Sequence, residues 1–287
     1  MKILVTGANG QLGKEMHAIL EKECPGQTLY TDVDTLDISD AKSVEQFFDQ
    51  NELTHVINCA AYTAVDKAES DQTMCYRINV DAVQNIAKAA SKYGVKVVHV
   101  STDYVFDGKN YRPYTEADKT NPTSTYGTTK RKGEMILLSF CPDAVIVRTA
   151  WLYSPHGHNF VKTMMKLGAE KPELRVVFDQ IGSPTSATDL AAAIYAIINS
   201  RQWVPGTYHF TNEGVASWYD FAKAIHRIAG ITNCKITPVT TEDYPTPATR
   251  PHYSVLDKTM IKRTFGIEIP YWENSLADCI SRIKEDK

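Results

Sequence analysis

Through the first half of the chain, short apolar runs alternate with longer stretches in which apolar positions recur every three or four residues. Residues 2–5, 27–31, 55–58, 95–100 and 144–148 read as strands. The fourth is apolar nearly throughout, as a strand covered on both faces should be. Helical periodicity covers residues 11–23, 41–50, roughly 71–93 and 124–140. In the third of these Ile78, Ala82, Ile86, Ala89 and Ala90 share a face. Such alternation predicts an α/β fold with a doubly wound parallel sheet of Rossmann type. After Arg148 the rhythm loosens. Segments rich in Pro, Gly, His and aromatics at 151–160, 204–218 and 238–254 separate shorter helices, and 189–200 reads as one more sheet-covering helix. The C-terminal material is expected to form a smaller lobe over the C-terminal edge of the sheet.

Composition narrows the partners. The 287 residues are 43% hydrophobic and 23% charged, ordinary values for a globular chain. The formal net charge is -3 and no dense Lys/Arg run appears, which argues against nucleic acid or an anionic membrane. No apolar run approaches the ~20 residues of a membrane span, and residues 1–6 read as a strand rather than a signal peptide. A cytoplasmic protein is expected. The six cysteines are scattered without zinc spacing or a disulfide pattern and read as reduced thiols.

The first strand runs into Gly7-Ala8-Asn9-Gly10-Gln11-Leu12-Gly13. Gly7 permits the tight turn, Gly10 lets backbone N–H groups approach a pyrophosphate, and Gly13 lets helix pack on strand. The helix N-terminus adds partial positive charge. Asp32 follows Gly13 by nineteen residues and ends the second strand, where it can hydrogen-bond the adenosine ribose. A glycine turn alone is weak evidence; this one has the strand, the helix and the acid around it. The absence of Arg or Lys just after Asp32 fits NADH, and the choice between NADH and NADPH stays open.

Tyr126 and Lys130 form Y-x-x-x-K, which on a helix brings the ammonium near the phenol. A cation there is expected to pull the phenol from near 10 towards the working range. Alone, this spacing describes a solvated helix face. It gains meaning from Ser101 and Thr102 at the end of the fourth strand, the edge where open α/β sheets hold ligands. Strand-end capping is the competing reading for that pair. Thr102, Tyr126 and Lys130 together form a catalytic set.

The spacing G-x-x-G-x-x-G resembles the extended short-chain dehydrogenase/reductases. Eight blocks in order resemble the dTDP-4-dehydrorhamnose reductases among them: 7–13 (GANGQLG), 58–69 (NCAAYTAVDKAE), 101–108 (STDYVFDG), 148–153 (RTAWLY), 159–164 (NFVKTM), 179–186 (DQIGSPTS), 217–221 (SWYDF) and 244–257 (YPTPATRPHYSVLD). The resemblance implies reduction of the 4-keto group of dTDP-4-dehydro-β-L-rhamnose by NADPH or NADH, with Tyr126 as general acid. It implies a cofactor site of Gly7, Gly10, Gln11, Leu12, Gly13, Asp32, Asp37, Ile38, Ala60, Ala61, Tyr62, Thr63, Tyr126 and Lys130. It further implies that Thr102, Asp103, Tyr104, Trp151 and Arg250 meet the dTDP-deoxysugar, with Lys162 a weaker candidate, and that Asn79 supports the lysine. A core tryptophan is the competing reading of Trp151. Residues 1–150 with about 176–203 would hold the cofactor, and about 151–175 with 204–287 the sugar nucleotide. In some members glutamates gather a divalent metal at a dimer interface; Glu15 is present, but the second position falls at Thr188, and no metal is expected. A monomer or homodimer is compatible with the sequence.

Two rivals remain. A sugar-nucleotide epimerase or dehydratase would return the hydride to its substrate, but a dehydratase carries Asp-Glu after the threonine, where this chain has Asp103-Tyr104. A non-catalytic NADP-binding regulatory subunit of the methionine adenosyltransferase type shares the fold and much of the signature. The sugar-side blocks favour an enzyme.

Overall fold

The computed structural model describes residues 1–285. The chain runs β1 (Ile3–Thr6), α1 (Gln11–Glu23), β2 (Thr28–Thr31), α2 (Ala41–Asn51), β3 (His55–Asn58), α3 (Val65–Ala68), α4 (Gln72–Tyr76), a π-helical turn (Arg77–Asp81), α5 (Ala82–Tyr93) and β4 (Lys96–Thr102). A 3-10 turn at Asp103–Val105 leads on to α6 (Thr125–Phe140), β5 (Val145–Thr149), β6 (Leu152–Tyr153), α7 (Phe160–Glu170) and β7 (Glu173–Val177). Then come β8 (Ile181–Gly182), β9 (Thr185–Ser186), α8 (Ala187–Ile198), β10 (Gly206–His209), β11 (Ala216–Ser217), α9 (Trp218–Ala229), β12 (Lys235–Val239), α10 (Thr259–Phe265) and α11 (Trp272–Glu285).

Six parallel strands in the order β10-β5-β4-β3-β1-β2 make the central sheet. The order reverses at β1, so the carboxyl ends of β1 and β3 flank a crevice, the usual place for a ligand in such sheets. One apolar layer packs α1 and α8 on the sheet through Met16, Leu20, Leu190 and Ile194. The opposite layer packs α2, α5 and α6 through Val44, Phe48, Ile86 and Leu137. A separate core around Tyr153, Phe221, Ile225, Trp272 and Leu276 belongs to the C-terminal lobe, where β7 pairs with β12. The sixth sheet strand, β10, lies in a segment that sequence reading gave to this lobe; the loosened rhythm around it hid a strand of four residues.

The long helix expected over 71–93 is interrupted. The π turn inserts one extra residue and rotates the following face. Asn79 and Val80 therefore point inward, while Ile78, expected on the buried face, is only partly covered. No helix among the described residues is long and apolar enough to cross a membrane. Glu15 is buried, and its carboxylate accepts from both terminal nitrogens of Arg282 at 2.9 and 3.1 Å and from Thr188 Oγ1 at 3.0 Å.

Behind β4 and β5 lies a buried ion pair. Arg148 meets Glu134 in two hydrogen bonds, both 2.8 Å, and Arg131 adds a third at 2.9 Å. Burial would push Glu134 up, but the Arg148 hydrogen bonds and charge outweigh it and hold the carboxyl below its usual range. Glu134→Ala leaves Arg148 charged and unpaired in the interior. Urea unfolding should show a loss of about 3–5 kcal/mol. In a double-mutant cycle, Glu134→Leu with Arg148→Met should recover much of it; a loss below about 1 kcal/mol in Glu134→Ala would show the pair to be dispensable.

Candidate active site

The crevice at the switch point is lined by the glycine turn. Gly7 has φ +65°, and a Cβ there would lie 2.7 Å from the backbone nitrogen of Ala60. A Cβ on Gly13 would lie 2.2 Å from the carbonyl oxygen of Gly7, so helix and turn interlock at a distance only glycine allows. Gly10 is the N-cap of α1 and brings no side-chain hydrogen bond, which leaves the first helical N–H groups facing the crevice. The chain therefore offers an open anion cradle at the place where a dinucleotide's pyrophosphate would lie.

Two grooves meet over Gly7, Gly10, Cys59 and Ala61. The first holds Asp32, Asp37, Ile38 and Ala60. Asp32 accepts from the backbone nitrogens of Asn9 at 2.9 Å and Val33 at 2.8 Å. Arg77, absent from the sequence reading, enters this groove from the π turn and donates to Ser39 Oγ at 2.8 Å and Asp37 Oδ2 at 3.3 Å. A cation thus stands near Asp32 in space although none follows it in sequence, which removes the argument for NADH over NADPH.

The second groove holds Gln11, Leu12, Gly13, Thr63, Thr102, Asp103, Tyr104, Tyr126, Lys130, Trp151 and Arg250. Of the residues expected to hold the cofactor Tyr62 alone lines neither groove. Its backbone is clipped by Asn79, which accepts from Tyr62 N at 2.9 Å and donates to Tyr62 O at 3.1 Å. Asn79 reaches α6 at Thr129 Oγ1 (3.2 Å), beside Lys130 rather than on it. Gln11 accepts from Asn159 Nδ2 at 2.9 Å, which joins the glycine turn to the C-terminal lobe.

Thr102 both caps the strand end and faces the groove. Its hydroxyl donates to Asp103 Oδ1 at 2.9 Å and accepts from Tyr104 N at 3.2 Å. The capping reading and the groove reading thus describe the same side chain. Burial pushes Asp103 up to about 6 and drives the Tyr126 phenol above its ordinary value. The expected lowering of Tyr126 by Lys130 is overturned. The lysine ammonium is turned instead to the Val100 carbonyl at 2.7 Å and to His99 Nε2 at 3.4 Å, and burial brings it down to about 8.

An outer cleft adjoins the second groove, with Arg250 and Trp218 on the boundary between them. Arg250 is not a free cation: it pairs with Asp66 at 2.6 Å and donates to the Tyr104 hydroxyl at 3.2 Å. Trp151 stands in the left-handed region, φ +49°, and stacks on Trp218 with centroids 3.7 Å apart. A non-glycine residue held there stores strain of order 1–3 kcal/mol, and Trp151 both packs against the C-terminal core and lines the groove. Lys162 lies outside the cleft lining and donates to the Pro155 carbonyl at 2.9 Å. Arg175, Gln180 and Phe160 line the cleft instead; nothing in their local spacing marks them.

The family described as RmlD substrate binding domain matches residues 1–285. The dTDP-4-dehydrorhamnose reductase of Aggregatibacter actinomycetemcomitans is 40% identical over 96% of this chain and 97% of its own. A solved structure of a dTDP-4-dehydrorhamnose reductase from Clostridium acetobutylicum shares 48% identity and a TM-score of 0.95, covering 99% of this chain and all of that one. One from Bacillus anthracis in complex with NADP shares 39% and 0.94, covering 98% and 100%. With such similarity along its whole described length, and the glycine turn, Thr102, Tyr126 and Lys130 gathered at one crevice, the chain belongs to the dTDP-4-dehydrorhamnose reductase family.

Proposed function

We propose that this protein reduces the 4-keto group of dTDP-4-dehydro-β-L-rhamnose to the alcohol, giving dTDP-β-L-rhamnose, as a cytoplasmic monomer or homodimer. The observation that carries this reading is the convergence of Thr102 and Tyr126 on one groove that opens to the glycine turn on one side and to the Arg250 cleft on the other. A reduced nicotinamide dinucleotide, NADPH or NADH, held by the Gly7–Gly13 turn, Asp32, Asp37, Ile38 and the Ala60–Thr63 loop, would supply the hydride to C4. The solved Bacillus anthracis relative with NADP supports that cofactor class. Residues 1–150 with α8 and β10 would carry the cofactor, and the remaining C-terminal segments the sugar nucleotide.

Each residue then has a definite task. Thr102 donates a hydrogen bond to the ketone oxygen. Tyr126, protonated at neutral pH because burial raises its phenol, transfers its proton to that oxygen as the alcohol forms. Lys130, charged below about 8, stabilises the phenolate left behind. Arg250, at the mouth of the outer cleft, exchanges Asp66 for the diphosphate, and Trp151 offers its ring to the deoxysugar.

A coupled assay with the keto-sugar nucleotide, following loss of reduced nicotinamide, tests the reading directly; no turnover by the intact protein would end it. Tyr126→Phe keeps the ring and removes the donor, so kcat should fall by about 10²–10⁴-fold with dinucleotide affinity nearly unchanged. A variant that keeps most of its activity removes Tyr126 from the acid's role.

Arg250→Ala should raise KM for the sugar nucleotide about 10- to 150-fold, the worth of one charge-assisted contact. The smaller change should be in kcat, because the diphosphate is remote from C4 and binds alike in ground and transition states. KM for the reduced nicotinamide should stay put; if it rises instead, the C-terminal loop belongs to the cofactor.

A further inference from the structure

A polar ladder crosses the middle of the sheet where apolar side chains would be expected. Thr6, Asn58 and His99 sit side by side on β1, β3 and β4, in register as Thr6↔Asn58 and Asn58↔His99. All three are at most 1% exposed, on the sheet face packed by α5 and α6. The Thr6 hydroxyl and Asn58 Oδ1 are 2.7 Å apart, and Asn58 Nδ2 and His99 Nδ1 are 3.0 Å apart. The far ring nitrogen, His99 Nε2, is 3.4 Å from Lys130 Nζ. Burial of three polar side chains is unfavourable by a few kcal/mol per group unless every one is hydrogen-bonded, and an apolar strand would pack here at no such cost. The ladder ends on the one buried ammonium of the groove.

The imidazole is neutral. Burial first and the Lys130 charge second hold its pKa well below the ordinary histidine value. It therefore carries one proton, with one nitrogen donating and the other accepting. The heavy atoms admit two proton arrangements, related by exchanging the amide oxygen and nitrogen of Asn58 and moving the ring proton. With the proton on Nε2, two donors face each other whenever Lys130 is charged. With the proton on Nδ1, His99 donates to the Asn58 amide oxygen, Asn58 donates to Thr6 Oγ1, and Nε2 is open to the ammonium. A charged Lys130 selects the second arrangement. The other titratable groups acting on Lys130 are Glu134, one turn further along α6, and the thiols Cys59 and Cys75. None of these forms a hydrogen bond to Nζ; only Val100 O and His99 do among the described residues.

We propose that His99 is a positioning residue for the reduction: its Nε2 accepts a hydrogen bond from the Lys130 ammonium, with the Asn58 amide turned so that its oxygen, rather than the nitrogen placed there, meets the ring and accepts from Nδ1–H. The inference rests on the proposed function for its catalytic consequence, but the hydrogen bond itself belongs to this chain alone.

The test has two arms. In the unmodified protein without ligands, imidazole ¹⁵N shifts at neutral pH should place the His99 proton on Nδ1, with Nε2 an acceptor; a proton on Nε2 overturns the proposal whatever the enzyme does. In the kinetic arm, His99→Gln keeps an acceptor near the position of Nε2, whereas His99→Asn reproduces only Nδ1 and leaves the ammonium with the Val100 carbonyl alone. The alkaline limb of kcat should move down by about one pH unit in His99→Asn, roughly a tenfold loss on that limb. The plateau at lower pH should be kept, and His99→Gln should retain the parent profile. If His99→Asn follows the parent, or His99→Gln shifts as far as His99→Asn, the imidazole does not act through Nε2. Lack of turnover by the unmodified protein would end the proposed function while leaving the ¹⁵N result to decide the hydrogen bond.

Discussion

Helix α6 lies closer to its neighbours than any side chain would permit, and the groove depends on that seating. A Cβ on Gly127 would come within 2.2 Å of the Tyr104 carbonyl oxygen, and one on Gly133 within 2.3 Å of the Asn79 carbonyl oxygen. Between these two glycines the helix sends Lys130 to the end of β4, and one residue beyond Gly133 it sends Glu134 to Arg148 on β5. The helix is thus held at fixed height and rotation by two backbone contacts and two buried charges. Tyr126, one turn before Lys130, inherits its place from them. Sliding α6 by even one residue would carry the phenol away from Thr102 and bury the wrong side chains against the sheet.

The two lobes meet around this fixed point through polar contacts as well as apolar ones, Ile261 of α10 packing into the core of the sheet and Leu256 against Val105, Phe106 and Tyr114. Gln11 ties the glycine turn to Asn159, and Asp66 ties α3 to Arg250. Both links sit on the rim of the grooves, so a ligand bridging them would touch the contacts that join the lobes. Under the proposed function the diphosphate replaces one carboxylate as the partner of Arg250. Binding would then exchange one charged contact for another instead of leaving the guanidinium bare.

Much of this was legible in the sequence because it is local. Strand-to-helix spacing marked the turn, and the four-residue step from Tyr126 to Lys130 holds wherever a helix forms. What escaped reading is long-range. Arg77 reaches the Asp32 groove from the start of the π turn before α5, and that turn leaves Ile78, inward by simple periodicity, only partly covered. Arg175 and Gln180 reach the cleft from the C-terminal lobe. The left-handed backbone of Trp151 is set by the packing around it, since nothing in the residue itself favours φ +49°. His99 lay within a mostly apolar strand pattern with nothing local to mark it, and its partners on β1 and β3 are 93 and 41 positions away along the chain. Sheet register, not sequence, makes that ladder.

The same register bears on the direction of the chemistry. Burial acts oppositely on the two groups of the catalytic set: it raises the phenol of Tyr126 and lowers the ammonium of Lys130, so both are driven towards their neutral forms. For a group that must give up a proton to a ketone oxygen, a raised phenol is the correct resting state, fully protonated at neutral pH. Once the proton has left, the phenolate needs a cation, and a lysine held near 8 would supply it only over the lower part of the neutral range. An acceptor behind the ammonium widens that range without reducing the desolvation that keeps Tyr126 protonated. A second cation placed directly against the phenol, where the Asp66-paired Arg250 does not stand, would also stabilise the phenolate, but it would lower the phenol in the resting state and repel Lys130. A neutral imidazole, backed by the Asn58 amide on the neighbouring strand, assists the lysine and leaves the tyrosine unchanged.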